Sequence, residues 1–405
     1  MIKSTKHLIK GAYGGISREV WLLSLTQFIN RSGTMVIFFL AVYLKDILQY
    51  NLDQVGIVMA MFGAGSLLGV FLGGKLVDKL GYYPIMLTSL LAGGVMFFVV
   101  SMIDHFLVLS IGMFFLSAMS EAFRPANMVA ISHFSTSANY TRSISLYRLA
   151  MNLGFSIGPA IGGIVATYSY KWIFWMDGGT CIFAAVLLVL FIGNKKEAEV
   201  EKAAEQEEKV ETTPTRSAYR DRAFLFFLPL TTLYAMSFFQ FFSTMSIYYK
   251  NEAMLSEGQI GILLALNGLI VASVEMLMIY KIEKKGSVFN WIMLGAFLVL
   301  VSYVMLLFVT GMFWLIIITI IISFSEMFAM PFMNTFMNQR SVKSNKGQYA
   351  SLYVMAWSVA QILIPIVSTQ VIDHLNYAAL WIIMGSISLV VMVGTKILKD
   401  IVARE

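Results

Sequence analysis

The chain is poor in the residues that build covalent or metal-bound sites. Its 405 residues include one cysteine, Cys181, and four widely separated histidines. A single cysteine excludes an internal disulfide framework, and no group of His, Cys and carboxylate residues has the spacing of metal ligands. No nucleophile and base of a membrane enzyme stand out either. We therefore expect no bound metal, no cofactor and no enzymatic activity.

Charged residues are also scarce. Only 13% of the side chains are Asp, Glu, Lys or Arg, whereas 58% are hydrophobic, and the mean hydropathy is +0.76. A soluble globular domain carries about a quarter charged residues, so this composition excludes one and favours a chain embedded in a lipid bilayer. The net charge of +6 then indicates basic loops at a membrane face rather than a nucleic-acid partner.

Long apolar runs fill most of the chain. A helix needs about 20 residues to cross the hydrocarbon core, and these runs are too long for the about ten residues of a barrel strand. They predict an all-α membrane protein with twelve transmembrane helices, at 20–44, 54–77, 83–103, 106–131, 143–168, 171–192, 222–249, 258–280, 287–309, 311–337, 348–372 and 377–398.

Lysine and arginine fall mainly on one side of these predicted helices. If both termini are cytoplasmic, the opposite side carries only Lys45, Lys171 and Lys250. Positively charged loops stay on the cytoplasmic face, so this asymmetry predicts cytoplasmic termini. We expect a multi-pass protein of the bacterial inner (plasma) membrane.

One polar segment divides the chain. Residues 194–221 are rich in Glu, Lys and Ala and form the only long polar stretch. We interpret this stretch as a cytoplasmic linker. It joins an N-terminal six-helix bundle at 1–193 to a C-terminal six-helix bundle at 222–405.

The two halves repeat each other at an offset of about 205 residues. A nearly constant register that includes Glu, Trp and Pro is not expected by chance. Transporters are commonly built from such repeats, with the substrate site between them near mid-membrane. The matched pairs include Glu121 with Glu326, Ser145 with Ser351, Pro159 with Pro365, and Trp175 with Trp381.

Two segments resemble motifs of one family. Residues 73–81 (GGKLVDKLG) resemble the signature loop of the major facilitator superfamily. Residues 154–163 (GFSIGPAIGG) are similar to the glycine–proline motif of its drug:proton antiporter branch. The resemblance implies the major facilitator fold of two pseudo-symmetric six-helix bundles, with alternating access around a cavity lined by spans 1, 4, 7 and 10. The chain departs from the family at Tyr82 and Tyr83, where basic residues usually follow the loop.

The same motifs supply candidate gating residues. Gly74 permits close helix contact, Asp78 can accept hydrogen bonds at a helix end, and Lys79 adds a charge beside it. In span 5, Gly158 and Pro159 accompany glycines spaced four residues apart, a spacing that lets two helices approach closely. A tight cytoplasmic turn and ordinary helix packing are the alternatives to a gate.

Charged residues inside the predicted helices mark a candidate site for substrate and protons. A charge at the bilayer centre costs roughly 2.5–3.5 kcal/mol on insertion scales, so each one needs a reason. Gln27 and Arg31 share a face of span 1, span 4 carries Glu121 and Arg124, and span 10 carries Glu326. We expect Arg31 to pair with Glu121 or to bind an anionic group, with Glu326 facing them across the cavity. The alternative is a permanent ion pair that only ties spans 1 and 4 together.

The repeat is broken at the arginines. The positions that match Arg31 and Arg124 in the second half hold Met236 and Ala329. The first half therefore offers two guanidinium groups and a carboxylate, whereas the second half offers a carboxylate alone. We expect the function to depend on this difference.

Aromatic residues are concentrated in the second half. Tyr234 in span 7 and Trp357 in span 11 are candidates for an aromatic cavity lining that would accept amphipathic compounds. Asp177, early in span 6, is expected to lie close enough to the outer surface to be hydrated.

Two transport functions fit these features. The first is proton-coupled export of small amphipathic organic compounds, and the second is proton-coupled import of a zwitterionic or anionic solute such as small peptides. In both, a monomer in the lipid bilayer binds a small-molecule substrate and protons, and the proton gradient supplies the energy.

Overall fold

The computed structural model describes residues 11–166, 168–193, 217–241, 244–255, 257–308 and 311–405. Within these residues all regular structure is helical, and the chain divides into two compact units. The predicted linker at 194–221 lies outside the described residues as far as residue 216.

The N-terminal unit comprises Ile16–Ser217 and a second segment, Ser341–Val354. In its core α1 packs against α7 and α8, α3 packs against α5, and α4 packs against α8. Its helices before the linker are α1 (Arg18–Ser32), α2 (Val36–Val42, continued by a π-helical turn at Tyr43–Ile47), α3 (Leu52–Leu80), α4 (Tyr82–Val100), α5 (Phe106–Glu121), α6 (Phe123–His133), α7 (Tyr140–Ala166) and α8 (Tyr170–Phe191).

The C-terminal unit is built mainly from Ala218–Arg340 and Met355–Glu405. Its helices are α9 (Arg222–Phe239), α10 (Thr244–Asn251), α11 (Glu257–Ile282), α12 (Val288–Phe308), α13 (Met312–Arg340), α14 (Lys346–His374) and α15 (Tyr377–Val402). Here α12 packs against α13 and α15, and α11 packs against α13. The first residues of α14, as far as Val354, belong to the N-terminal unit.

The helices present apolar side chains outward. Within the described residues, ten helical segments are long and apolar enough to cross a membrane, and they correspond to predicted spans 2 to 10 and 12. Leu91 and Val95 of α4, and Val393 and Ile397 of α15, are exposed at 41–53% of their surface. Large apolar side chains on the outside of a helical bundle are the arrangement that lipid, rather than water, favours.

Predicted span 1 is not the single helix that its hydropathy suggested. It breaks after α1 at Gly33, and α2 starts at Val36. Asp177 explains the break, because its carboxylate accepts the backbone N–H groups of Met35 at 3.0 and 3.1 Å and of Val36 at 2.8 Å. A helix start leaves N–H groups without partners, and a carboxylate satisfies them while matching the helix dipole. The expectation that Asp177 is hydrated was wrong, since only 1% of its surface is exposed.

Predicted spans 4 and 7 are also interrupted. In span 4, α5 ends at Glu121 and α6 begins after Ala122, with Pro125 in the first turn of α6. Proline is tolerated in a first turn because its missing N–H has no helical partner there. In span 7, α9 and α10 are separated by 240–243, of which 242 and 243 lie outside the described residues. A hydropathy window does not detect such junctions, because it averages over about 19 residues and most of them remain apolar.

Removing the Asp177 carboxylate should destabilise the protein. Asp177→Ala leaves two buried N–H groups without their acceptor, so we expect a loss of roughly 1–3 kcal/mol, read as a lower Tm in detergent. Asp104→Ala serves as the control, because Asp104 is exposed and its loss should change stability by less than about 0.5 kcal/mol. Equal melting temperatures for the two variants would contradict the assigned role of Asp177.

Candidate substrate and proton site

A cluster of polar side chains lies inside the N-terminal unit, where α1 meets the junction of α5 and α6. Gln27 and Arg31 stand four residues apart on α1 and therefore share a face. Glu121 is the last residue of α5, and Arg124 lies in the first turn of α6. Arg31 lies about 20 Å along α1 from its start, at about 1.5 Å per residue, and is next to the last residue of that helix.

The Glu121 carboxylate is shared between two guanidinium groups. Its Oε2 accepts Arg124 Nη1 at 3.1 Å, and its Oε1 lies 3.7 Å from Arg31 Nη2. The side chains of Arg31, Glu121 and Arg124 are 11%, 15% and 22% exposed, so the cluster is largely enclosed but still reachable. The predicted pairing of Arg31 with Glu121 is present, and Arg124 joins it.

Neighbouring side chains fix the two α1 residues in place. Asn127 donates from Nδ2 to Gln27 Oε1 at 3.1 Å, and both residues are fully buried. The guanidinium carbon of Arg31 lies 5.4 Å from the ring centre of Phe155, within the range of a cation–π contact. Phe155 was not among the predicted site residues. In the sequence, Phe155 is noticeable only because it follows Gly154, the first glycine of the glycine–proline motif. In the structure, Gly154 lies against α1.

The glycines of α7 allow this close approach. A Cβ placed on Gly154 would stand 2.7 Å from Arg31 Cβ, and one on Gly158 would stand 3.1 Å from the carbonyl oxygen of Ser32. Gly158 therefore packs directly against the end of α1. Pro159 falls within α7, and its side chain lies outside the described residues. Packing accounts for Gly158, and a gating role for it and Pro159 stays a prediction.

The C-terminal unit holds the matching carboxylate in different surroundings. Glu326 of α13 is 4% exposed, and its Oε2 accepts Asn267 Nδ2 of α11 at 3.3 Å. The same amide group contacts Ser323 Oγ at 3.0 Å. Asn267 was missed from the sequence, although an amide in the middle of a mostly apolar span was a visible signal. The prediction that Glu326 faces the arginines across a cavity stays a prediction.

Tyr234 and Trp357 belong to one aromatic group in the C-terminal unit. Their ring centres are 6.3 Å apart in an edge-to-face arrangement, and Tyr234 stacks on Phe238 at the same distance. The Tyr234 hydroxyl pairs with Ser325 Oγ at 2.9 Å, next to Glu326 in sequence. Both predicted aromatic residues are nearly buried, at 1% and 8% exposure.

The signature loop contacts the start of α14. Asp78 accepts the backbone N–H of Gly347 at 2.6 Å and of Gln348 at 2.9 Å. Gly74 lies against the backbone of Gly347 and the side chain of Ser351, where a Cβ has no room. Lys79 is exposed in the last turn of α3. Asp78, in the last turn of α3, therefore caps the start of α14, the kind of contact at a helix end that the sequence suggested.

The sequence could not identify the partner of Asp78. The contacts are made by backbone N–H groups in the first turn of α14, and backbone groups leave no signature in the side-chain sequence. The gating roles of Gly74, Asp78 and Lys79 stay predictions.

Comparison with known proteins decides the family. The family model of the Major Facilitator Superfamily matches residues 23–365 and, in a second match, 254–401. The chain belongs to the Major Facilitator Superfamily. It is therefore a multi-pass membrane transporter rather than an enzyme, and the predicted fold of twelve helices in two bundles is confirmed.

Its relatives are distant and cover most of the chain. The quinolone resistance protein NorA of Staphylococcus aureus (strain MSSA476) is 23% identical over 308 residues, covering 76% of this chain and 78% of NorA. The uncharacterized MFS-type transporter YttB of Bacillus subtilis (strain 168) is 22% identical over 392 residues, covering 95% of each protein. A Na(+), Li(+), K(+)/H(+) antiporter of Planococcus maritimus is 22% identical over 390 residues, covering 89% of this chain and 90% of the antiporter.

Solved structures share the fold at low identity. The human organic anion transporter MFSD10 (TETRAN) superposes with a TM-score of 0.74 at 13% identity, covering 93% of this chain and 99% of that structure. The transporter FucP in its outward conformation gives a TM-score of 0.71, also at 13% identity, covering 95% and 99%.

The shared carboxylate predicts strong energetic coupling between Arg31 and Glu121. Glu121→Gln leaves two enclosed guanidinium groups without their counter-charge, and we expect a loss of roughly 2–4 kcal/mol, below the cost of breaking a fully buried pair. Adding Arg31→Gln to that variant should recover part of the loss. A double-mutant cycle on Tm in detergent measures the coupling. Strictly additive single-variant effects would show that the two side chains do not interact.

Asp78 should hold the start of α14 against α3. In a Cys181→Ser background carrying Ser351→Cys, Asp78→Asn removes the charge that binds two N–H groups, so maleimide labelling at 351 should speed up several-fold. Lys79→Gln is the matched control, because Lys79 is exposed next to Asp78 and is not the residue that accepts the N–H groups of Gly347 and Gln348. An unchanged rate of labelling at position 351 in the Asp78→Asn variant would contradict the role of Asp78 in holding α14 against α3.

Proposed function

We propose that this chain is a proton-coupled transporter that works by alternating access and exports small amphipathic organic compounds. The observation that carries the proposal is a pair of enclosed carboxylates, Glu121 and Glu326, at matching positions in the two halves of an apolar helical protein. Enclosed carboxylates are expensive in a membrane and commonly mark the path of ions or protons. Two relatives support this direction, since one is named for quinolone resistance and one for cation/proton antiport.

The two carboxylates are suited to different tasks. Glu121 is engaged by Arg31 and Arg124, so losing its charge would leave a surplus of positive charge in an enclosed cluster. Glu326 accepts a hydrogen bond from the side-chain amide of Asn267, a neutral group that has both a donor for a carboxylate and an acceptor for a carboxylic acid. We therefore assign the coupled proton to Glu326 and an organising role to Glu121.

The aromatic group around Tyr234 and Trp357 suits the proposed substrates. Aromatic rings contact planar or hydrophobic molecules of varied shape without requiring a fixed pattern of hydrogen bonds. Tyr234 is linked to Ser325, directly before Glu326, so aromatic contact and proton binding would share one region of the C-terminal unit. The proposal places both chain termini in the cytoplasm of a bacterium, with the monomer in the inner membrane.

One observation favours a second candidate function, the import of a zwitterionic or anionic solute with protons. The cluster in the N-terminal unit contains two guanidinium groups for one carboxylate. Such a surplus of positive charge would suit a substrate that carries a negative group.

Transport into liposomes distinguishes the two candidates. Purified protein in liposomes with an acidic lumen should accumulate amphipathic dyes or drugs as protons leave, and a protonophore should abolish this accumulation. The exporter proposal fails if only dipeptides move and if they travel in the same direction as the protons.

Glu326→Gln should uncouple transport from the gradient. The amide keeps the size of the side chain and most of its hydrogen bonding but cannot bind and release a proton, so gradient-driven accumulation should fall to the level of empty liposomes. Exchange of labelled substrate at equal pH should continue. Glu252→Gln, which changes an exposed acid, should leave both measurements unchanged. Accumulation at the wild-type level in the Glu326 variant would remove its coupling role.

A further inference from the structure

We infer that Gln27, Arg31, Glu121 and Arg124 form a subsite that binds a carboxylate group of the substrate. The inference rests on the proposed function, because it assigns part of the substrate contact to the N-terminal unit. It narrows the substrate class to amphipathic molecules that carry a carboxylate, including zwitterions.

The charges of this cluster are not balanced. Two guanidinium groups surround one carboxylate at 3.1 and 3.7 Å, which leaves one positive charge in excess. The other deeply buried acid described in this unit, Asp177, accepts the N–H groups of Met35 and Val36 instead. An enclosed surplus charge is costly in a membrane protein unless an opposite charge joins it. A carboxylate from the substrate would restore neutrality.

Two buried hydrogen-bond donors of this cluster have no acceptor in the part of the protein that the structure describes. Among the described residues, Arg31 Nε and Gln27 Nε2 are buried and have no hydrogen-bond partner. Both atoms are donors, and they lie one helical turn apart on α1. Gln27 is fully buried, and Asn127 occupies its carbonyl oxygen, so its amide nitrogen stays available. Buried donors without partners favour a ligand that brings acceptor oxygens.

Arg31 is bound less closely than Arg124 by the Glu121 carboxylate. Its distance of 3.7 Å to Glu121 exceeds the 3.1 Å between Arg124 and the same carboxylate. The planar guanidinium group can bind two oxygens side by side, which matches the shape of a carboxylate. The Phe155 ring, 5.4 Å from the Arg31 guanidinium carbon, adds an apolar wall next to this charge. A carboxylate attached to an aromatic or aliphatic body fits both surfaces.

Matched pairs of acids and esters test the subsite. Purified full-length protein is titrated with dansyl-phenylalanine, pyrenebutyrate and naphthylacetate, and with the methyl ester of each. Hydrogen bonds to charged groups are stronger than those to neutral groups, so at least one acid should bind roughly 10-fold or more tightly than its ester. The same acid should raise the Tm of the wild-type protein more than its ester does, a measurement that needs no variant.

Variants of α1 assign the preference to Arg31. Arg31→Gln should reduce the ratio of acid to ester affinity to about one while the ester still binds, and Arg31→Lys should keep part of the preference. Arg18→Gln, at the exposed start of the same helix, should preserve the full ratio. Equal affinity of acids and esters in the wild type, or an equal loss for both in Arg31→Gln, would overturn the subsite.

A separate readout keeps the subsite distinct from the proposed export function. Gradient-driven accumulation of a carboxylate-bearing dye, dansyl-phenylalanine, by the wild type tests export alone. If the dye accumulates but no acid is preferred, export stands and the subsite is wrong. If an acid is preferred but nothing accumulates against a gradient, the subsite stands and proton-coupled export is wrong.

Discussion

The bilayer provides no hydrogen-bond partners, so each polar group that this chain carries into its helices needs a partner from the protein or from a bound ligand, and that constraint shapes the structure. Asp177 shows how it works on the backbone. Its carboxylate accepts two N–H groups at the start of α2, and this contact lets span 1 break in the middle without leaving its backbone unsatisfied. α1, which ends at this break, packs against α7 and α8, and its Arg31 lies against Gly154 of α7.

The same constraint acts on the side chains, and the two halves meet it differently. In the N-terminal unit, Glu121 is satisfied by two arginines brought together by the junction between α5 and α6. In the C-terminal unit, the matching Glu326 accepts a hydrogen bond from the amide of Asn267, which also contacts Ser323. The two halves thus share the carboxylate but differ in its partners. The N-terminal unit carries a surplus of positive charge beside it, and in the C-terminal unit we propose Glu326 as the site of the coupled proton.

The sequence was informative where a polar residue stands in an apolar run. Arg31, Glu121, Arg124 and Glu326 were all visible in this way, and the repeat identified Glu121 and Glu326 as counterparts. The family motifs indicated the fold and suggested that Asp78 accepts hydrogen bonds at a helix end. Hydropathy failed at the breaks in spans 1, 4 and 7, because a window average does not register a single Gly33 or Pro125. The partners of Asp78 and Asp177 could not be predicted. Each aspartate accepts backbone N–H groups that are distant in sequence, and a backbone group is not distinguished by its residue type.

The central claim is that substrate and proton binding are coupled at an enclosed carboxylate of the C-terminal unit. The direct measurement is proton release by purified protein in weakly buffered detergent solution, followed with a pH indicator, when a transported amphipathic compound is added. The account predicts that binding releases protons from the wild type and that Glu326→Gln binds the compound without release. Binding without any change in bound protons in the wild type, or undiminished release from the variant, would contradict it.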